Sequence, residues 1–407
     1  MRLSTVWMQQ AGVNAITQQQ AKLTKTQLQL ASGKTHLTPA DDPIASARAL
    51  NLKEAMRKYQ QYQDNAALAA NRLALEEATL SSITEIVQRI RELSVQANNQ
   101  AVLRAEDKSY IAHEVRQALG ELLGLGNSTN GQGEYLFAGT KAHTPPYPLE
   151  LSTPPGYYAY QGGDGQRLLQ IGPTRRIADG DPGSRVFEAI VTAHASPDEV
   201  IEGSLTPPIA EVQKIKVPAL AAGSVVELSF GSLTLSAGPL DSDPSISELV
   251  AALESDPNYA SAPFTLTEGT GPDAGKLIIT WNAPGEVVNK AELAKKDNLF
   301  SLVDQFARAL EGALPEEVIP NSLLALDNAL ERLSTVRSDL GARLNAIETQ
   351  RQVNAQFILD MQSTLSQGQD LDYAEAIGRF NLEQVALQAA QQAFAKVQGL
   401  SLFNFLR

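Results

Sequence analysis

Residues 44–119 contain no glycine and no proline, whereas residues 120–285 hold 21 of the 28 glycines and 17 of the 21 prolines. A stretch that long without backbone breakers sustains helix well beyond the usual globular length. The middle, by contrast, must turn often. From about residue 315 the helical texture returns, with Leu323, Leu326, Leu330, Leu333, Val336, Leu340, Leu344 and Ile347 recurring every three or four positions. Helical ends around a turn-rich centre form an insertion pattern. The chain therefore reads as an α+β multidomain protein, a long α-helical rod formed by both chain ends with an inserted, mostly β domain.

The two extreme segments share a second property. Val13, Ile16, Leu23 and Leu30 form a stripe at three- and seven-residue spacing, and the faces between carry Gln9, Gln10, Gln18, Gln19, Gln20, Gln27 and Gln29. At the other end Tyr373, Phe380, Leu387 and Phe394 lie seven apart. Ala390 and Val397 widen that stripe, and Gln384, Gln388, Gln391, Gln392 and Gln398 fill the remaining faces. An exposed helix normally carries Lys and Glu, so an amphipathic helix with Gln in their place points to a surface that becomes buried against copies of itself. The plainer reading is an intramolecular two-helix coil, since most apolar stripes face their own core. The first reading makes Val13, Ile16, Leu23, Leu30, Phe380, Leu387, Ala390, Phe394 and Val397 an assembly interface.

Composition narrows the function. With 407 residues and 43% hydrophobic content the chain can build substantial cores. A net charge of −13 repels phosphate backbones and anionic membrane surfaces, which argues against nucleic acid and membrane as partners. The absence of cysteine removes disulfides, thiol catalysis and thiolate metal sites. The first dozen residues have no apolar run long enough for a general secretory signal.

Along the chain, Ser32-Gly33-Lys34 reads as a helix stop, and Asp42 before Pro43 as the cap of a second, long helix that breaks at Asn98-Asn99-Gln100. A third helix is expected from about Ala105 to Leu123. Short alternating runs at 135–137, 157–161, 167–171, 186–192, 212–217, 225–230, 233–236, 264–267 and 277–281 read as strands, with Phe230-Gly231-Ser232-Leu233 as a hairpin turn and one helix at 246–253. Helix is expected again from about Lys290. The resulting organisation is an arm at 1–40, rod at 41–140, insert at 141–289, rod at 290–368 and a second arm at 369–407.

Fragments of catalytic motifs dissolve on inspection. Gly33-Lys34-Thr35 resembles the end of a phosphate-binding loop, but the motif's first glycine falls on Leu28 and a helix precedes it, so a helix cap is the better account. His113-Glu114 begins a zinc-protease pattern whose second histidine position is Gln117. His36, His143 and His194 are isolated, and Asp41-Asp42 before Pro43 is a capping arrangement more than an acid–base pair. No catalytic, cofactor or metal residues are assigned, and the chain reads as a non-enzyme.

The ends resemble the flagellin superfamily, and within it the proteins of the hook–filament junction. The resemblance rests on Met1-Arg2-Leu3-Ser4-Thr5, on Gln20-Ala21-Lys22-Leu23 through Gln29-Leu30-Ala31-Ser32-Gly33-Lys34 to Pro39-Ala40-Asp41-Asp42-Pro43, on Glu134-Tyr135-Leu136-Phe137-Ala138-Gly139, and on the tail from Phe394 to Phe403. It covers about 1–140 and 290–407 and leaves the insert unmatched. It implies a flagellar structural protein that is exported without a cleaved signal peptide through the flagellar type III apparatus, with an export chaperone. Its terminal arms would assemble with copies of itself, a neighbouring hook-associated protein and flagellin outside the cell. Flagellin itself, or an unrelated coiled-coil scaffold carrying a binding domain, are the alternatives.

Overall fold

Helix boundaries fall where capping chemistry places them. In the computed structural model, which describes residues 5–99, 104–148, 157–220, 223–240, 244–285, 287 and 290–403, the first helix α1 (Thr5–Ser32) ends at Gly33. Gly33 adopts φ 68°, a left-handed conformation that favours glycine, and its amide donates to the Gln29 carbonyl at 2.9 Å. Helix α2 (Pro43–Asn98) starts one residue after Asp42, whose carboxylate accepts from the amides of Ile44 and Ala45 at 3.0 and 2.9 Å. Helix α3 (Ala105–Gly126) follows. The motif residues Met1, Arg2, Leu3 and Ser4, and Gln100 in the expected helix break, lie outside the described residues.

The remaining elements, in chain order, are β1 (Leu168–Gln170), β2 (Arg176–Ala178), α4 (Gly183–Val186), β3 (Ile190–Ala195), β4 (Glu199–Ile201), β5 (Ser204–Leu205), β6 (Pro208–Lys216), β7 (Val225–Phe230), β8 (Leu233–Ala237), α5 (Ile246–Glu254), β9 (Phe264–Glu268), β10 (Lys276–Pro284), β11 (Glu292–Asp297), α6 (Leu299–Leu310), α7 (Val318–Gln369) and α8 (Tyr373–Phe403). The chain thus has helical ends around a largely β centre, as the breaker distribution predicts. It divides into two compact units, residues 1–64 with 350–407 and residues 65–349.

In the first unit α1 and α8 run antiparallel. Gln19 Nε2 donates to the Glu383 carbonyl at 3.3 Å, and at the other end the Thr35 amide reaches the Gln369 carbonyl and the Leu371 amide the Gly33 carbonyl, at 2.9 and 3.0 Å.

In the second unit Leu73, Leu80, Ile83, Val87 and Ile90 of α2 repeat at helical spacing and are fully buried against Val115 and Leu122 of α3, Phe300 and Phe306 of α6, and Leu333 and Leu340 of α7. Loop aromatics complete this core, with the Tyr147 ring tilted against Phe300 at 4.5 Å and Phe137 edge-on to Phe187 at 5.0 Å. A second core holds Ile215, Leu277, Ile279 and Trp281 of a five-stranded sheet, ordered β4-β6-β10-β9 with β5 also on β6. It is shared with Val226, Leu228, Leu235 and Leu293 of a four-stranded sheet ordered β3-β11-β7-β8, and with Leu249 and Leu253 of α5. The strand pairs among the described residues are antiparallel, and Phe230 faces Leu233 across the expected hairpin turn.

Three expectations need correction. Residues 157–161 form no strand: Tyr158 and Tyr160 pack on the helical core, so their alternation reflects burial without sheet pairing. Residues 135–137 make only a single bridge, Tyr135 to Thr129. Helix does not return at 290, because Glu292–Asp297 is strand β11, paired on both sides with β3 and β7, and an insert ending at 289 excludes it. The strand was hidden by its charge. Its inward positions are Leu293, Lys295 and Asp297, and the last two form a buried ion pair at 3.1 Å. Asp297 also accepts from Thr192 Oγ1 at 2.8 Å and Ser224 Oγ at 2.6 Å, while Lys295 Nζ donates to Gln305 Oε1 at 3.1 Å.

A second buried polar group lies between α2 and α7. Glu76 accepts from the Asp181 amide at 3.1 Å, and the Asp181 carboxylate is held by Arg343, by Gln166 at 2.6 Å and by Arg185 at 3.2 Å. Burial, reinforced by the charge of Asp181, pushes the Glu76 carboxyl up to about 8.

Two predictions follow from these groups. Lys295→Met leaves Asp297 buried without its cation and should lower unfolding free energy by about 3–5 kcal/mol in urea titrations; a loss below about 1 kcal/mol, the range of an exposed ion pair, would contradict the buried pair. For Glu76, both folded and unfolded chains hold the proton below about pH 4, and above about pH 8 neither does. Between those limits only the folded chain holds it, so stability should fall as pH rises across that window. Glu76→Gln should flatten the fall, which amounts to a few kcal/mol at about 1.4 kcal/mol per unit of pKa displacement.

Candidate assembly surface

Helices α1 and α8 each carry more apolar surface than one neighbour covers. Ile16, Leu23 and Leu30 on α1 and Phe380, Leu387, Ala390 and Phe394 on α8 are half-buried, and Val13 is exposed. The side chain of Val397 lies outside the described residues. The pairing brings the two stripes onto adjoining helices, with Gly12 against the Phe394 ring, where an added Cβ would approach to 2.6 Å. None of the described stripe residues is fully buried.

The side chains most deeply placed are others. Among the described side chains, Thr26 and Gln29 are the buried residues of α1 and Ala376 of α8. Gln29 Nε2 donates to the Thr35 carbonyl at 2.5 Å, which ties the helix end to the following turn. Its place four residues before Gly33 was a readable signal for that reach.

The seven-residue spacing also passed over an outer face of α8. Ile377, Leu382 and Val385 are 50, 71 and 65% exposed, and Trp7 and Leu28 of α1 are 64 and 53% exposed. More apolar surface lies where α2 begins and α7 ends: Ile44, Leu50, Phe357 and Leu359 are exposed, beside a groove of about 500 Å³ that includes Leu50, Met56 and Ile358. Full burial of a side chain of this size is worth roughly 1.5–3 kcal/mol. Several such groups per chain constitute a substantial drive toward further association.

The turn joining α1 to α2 is fixed by charge. Asp41 accepts from Lys25 Nζ at 2.6 Å and from the Leu37 and Thr38 amides at 3.2 and 2.9 Å, and these bonds, led by Lys25, hold its carboxyl well below the usual range. Asp372 serves α8 as Asp42 serves α2, accepting from Ala374 and Glu375 amides at 2.9 and 3.2 Å. The two aspartates before Pro43 are therefore a turn clamp and a helix cap. Lys34, the lysine of the apparent phosphate loop, forms a backbone bridge with Asp370. His113 is exposed, and its neighbour Glu114 pairs with Arg89 at 2.8 Å. Among the described residues no three His, Cys, Asp or Glu side chains gather as metal ligands, and no helix is long and apolar enough to cross a membrane.

The helical ends of the chain match known proteins in sequence. The family description "Bacterial flagellin N-terminal helical region" matches residues 3–142, and "Bacterial flagellin C-terminal helical region" matches residues 323–406, together more than half of the chain. This chain belongs to the bacterial flagellin family. Among individual relatives of this flagellin-family protein, flagellar hook-associated protein 3 of Escherichia coli (strain K12) is 28% identical across 99% of both chains. Flagellin FlaB1 of Treponema pallidum (strain Nichols) is 33% identical over only 28% of this chain and 40% of its own length. The putative flagellar hook-associated protein from Vibrio parahaemolyticus shares the fold, with a TM-score of 0.50 over 81% of this chain and 100% of its own at 15% identity.

The exposed outer face of α8 permits a clean separation of folding from association. Leu382→Glu and Val385→Glu keep their charge in water in the free flagellin-family chain, so circular dichroism and urea midpoints should change by less than about 0.5 kcal/mol. Incorporation into flagella, measured by immunoblot of purified filaments, should be lost, since burial of an isolated carboxylate costs several kcal/mol. Normal incorporation of both variants would remove this face from the assembly surface.

Proposed function

We propose that this protein is a structural subunit of the bacterial flagellum that forms the junction between hook and filament by helical self-assembly of its terminal helices. The observation that carries the reading is its end-to-end similarity to hook-associated protein 3, against a similarity to flagellin FlaB1 that covers little more than a quarter of the chain. The uncovered apolar faces of α1 and α8 support it physically, since a subunit that must join neighbours needs surface that one chain cannot cover. Val13, Ile16, Leu23, Leu30, Phe380, Leu387, Ala390, Phe394 and Val397 are the proposed interface, with Ile377, Leu382 and Val385 added.

Its partners are further copies of itself, a neighbouring hook-associated protein and flagellin. An export chaperone and the flagellar export apparatus deliver it, without a cleaved signal peptide, to the outside of the cell. A structural role of this kind requires no catalytic residue. The segments 1–40 and 369–407 supply the assembly arms, 41–140 and the part of 290–368 that follows β11 supply the rod, and 141–289 together with β11 forms an outer domain.

Deletion of the gene tests the reading. Electron microscopy should show hooks without filaments, with flagellin shed into the medium, and the full-length gene should restore filaments. Filaments of normal number in the deletion strain would refute a junction role, while short or unstable filaments would favour the flagellin alternative.

A further inference from the structure

A cavity of about 220 Å³ opens among the loops after α3, lined by Arg72, Leu136, Thr140, Arg167, Asp179 and Gly180 among others. It is several times the roughly 30 Å³ share of one water. Arg72, whose side chain is 9% exposed, spends Nη1 on Glu134 at 2.7 Å and Nη2 on the Tyr135 carbonyl at 3.2 Å, and its buried Nε has no partner. Glu76 Oε2 is likewise buried and unpartnered. Both border one notch, since a Cβ placed on Gly180 would lie 3.4 Å from Arg72 Nε and 3.6 Å from Glu76 Oε2.

The acids nearby are already engaged. Arg167 donates twice to Asp179, at 2.8 and 2.5 Å, and Asp181 is shared by Arg343, Arg185 and Gln166. What the cavity lacks is an acceptor for Arg72 Nε, and Arg167, 44% exposed, stands with its Nη1 3.6 Å from Glu134. Guanidinium forks in a partly desolvated cavity select tetrahedral or planar oxyanions. We propose that this cavity binds a small free oxyanion of the sulfate or phosphate type, held by Arg72 and Arg167 over Gly180.

Glu76 adds a pH dependence. It is faced by Asp181 from the loop before α4, by Arg343 from α7 and by Arg72 from its own helix. While protonated it presents an O–H to the notch, and once ionised, above about pH 8, it repels the anion.

Isothermal titration of the full-length protein with sodium sulfate, at constant ionic strength made up with chloride, tests the site. Sulfate keeps its charge across the range, so any pH effect belongs to the protein. Saturable binding with one site per chain is expected near pH 6.5, weakening about tenfold or more near pH 9. Gly180→Ala, whose methyl group makes only ordinary contacts, should melt like the parent and lose affinity about tenfold or more. Arg72→Lys, which keeps the charge without Nε–H, should show the same loss. Glu76→Gln should bind with the pH dependence removed. Absence of saturable binding in the parent, or parental affinity in both Gly180→Ala and Arg72→Lys, overturns the proposal, and binding insensitive to pH in the parent overturns the part assigned to Glu76.

Discussion

A helix with apolar residues on more than one face cannot cover them all with a single neighbour. That constraint governs α1 and α8. Their antiparallel pairing half-covers Ile16, Leu23, Phe380, Leu387 and Phe394, and leaves Leu382 and Val385 in water on the far side. The intramolecular coil and the assembly surface, which the stripes alone left as rivals, are therefore compatible. The pair is a coil along one seam and an open surface along others. A junction subunit needs that combination, because chain ends ordered against each other lose less entropy on docking than two separate disordered arms.

The second unit is held differently. Its core is apolar, but the connections among its elements are polar and directional. Where β11 turns into α6, Asn298 Oδ1 caps the helix by accepting from the Ser301 amide at 2.7 Å, its Nδ2 donates to the Tyr158 carbonyl at 2.9 Å, and the Leu299 amide reaches Phe187 at 2.9 Å. With Asp297 and Lys295 one and three residues earlier, these bonds tie the β centre to the helical core. Removing one partner from such a node leaves the other buried and unsatisfied, which costs more than the bond contributes net. Residues 290–298 thus belong to both the β centre and the helical core, which is why a boundary drawn from texture at 289 cuts through a sheet.

What was legible in the sequence was local. Gly33, Asp42 and Pro43 act through backbone conformation and capping within a few residues, so their meaning survives without knowledge of the fold. The Phe230-Gly231-Ser232-Leu233 hairpin is of the same kind. What was hidden depended on partners far along the chain. Lys295 and Asp297 look like surface charges until Thr192, Ser224 and Gln305 close around them. Glu76 looks like an ordinary helical glutamate until residue 181 reaches it. The heptad spacing of α8 follows its seam with α1, while Ile377, Leu382 and Val385 lie off that seam at a five-then-three spacing that no single neighbouring helix imposes.

The polar faces explain how the terminal helices can be soluble first and buried later. The helices of the second unit carry cross-helix ion pairs such as Arg89–Glu114, Arg116–Glu311 and Arg337–Glu77, which add little at a surface and resist desolvation. A face made of such pairs stays in water. Along α1 and α8 glutamine takes that place, and its amide is neutral and both donates and accepts. Moving it into an interface demands only that its hydrogen bonds be remade, as Gln19 already does with the Glu383 carbonyl and Gln29 with Thr35. The substitution of amide for charge lowers the desolvation cost of association without exposing more hydrocarbon beforehand. It is therefore the polar residues of the terminal helices, as much as the apolar stripes, that make these faces capable of joining.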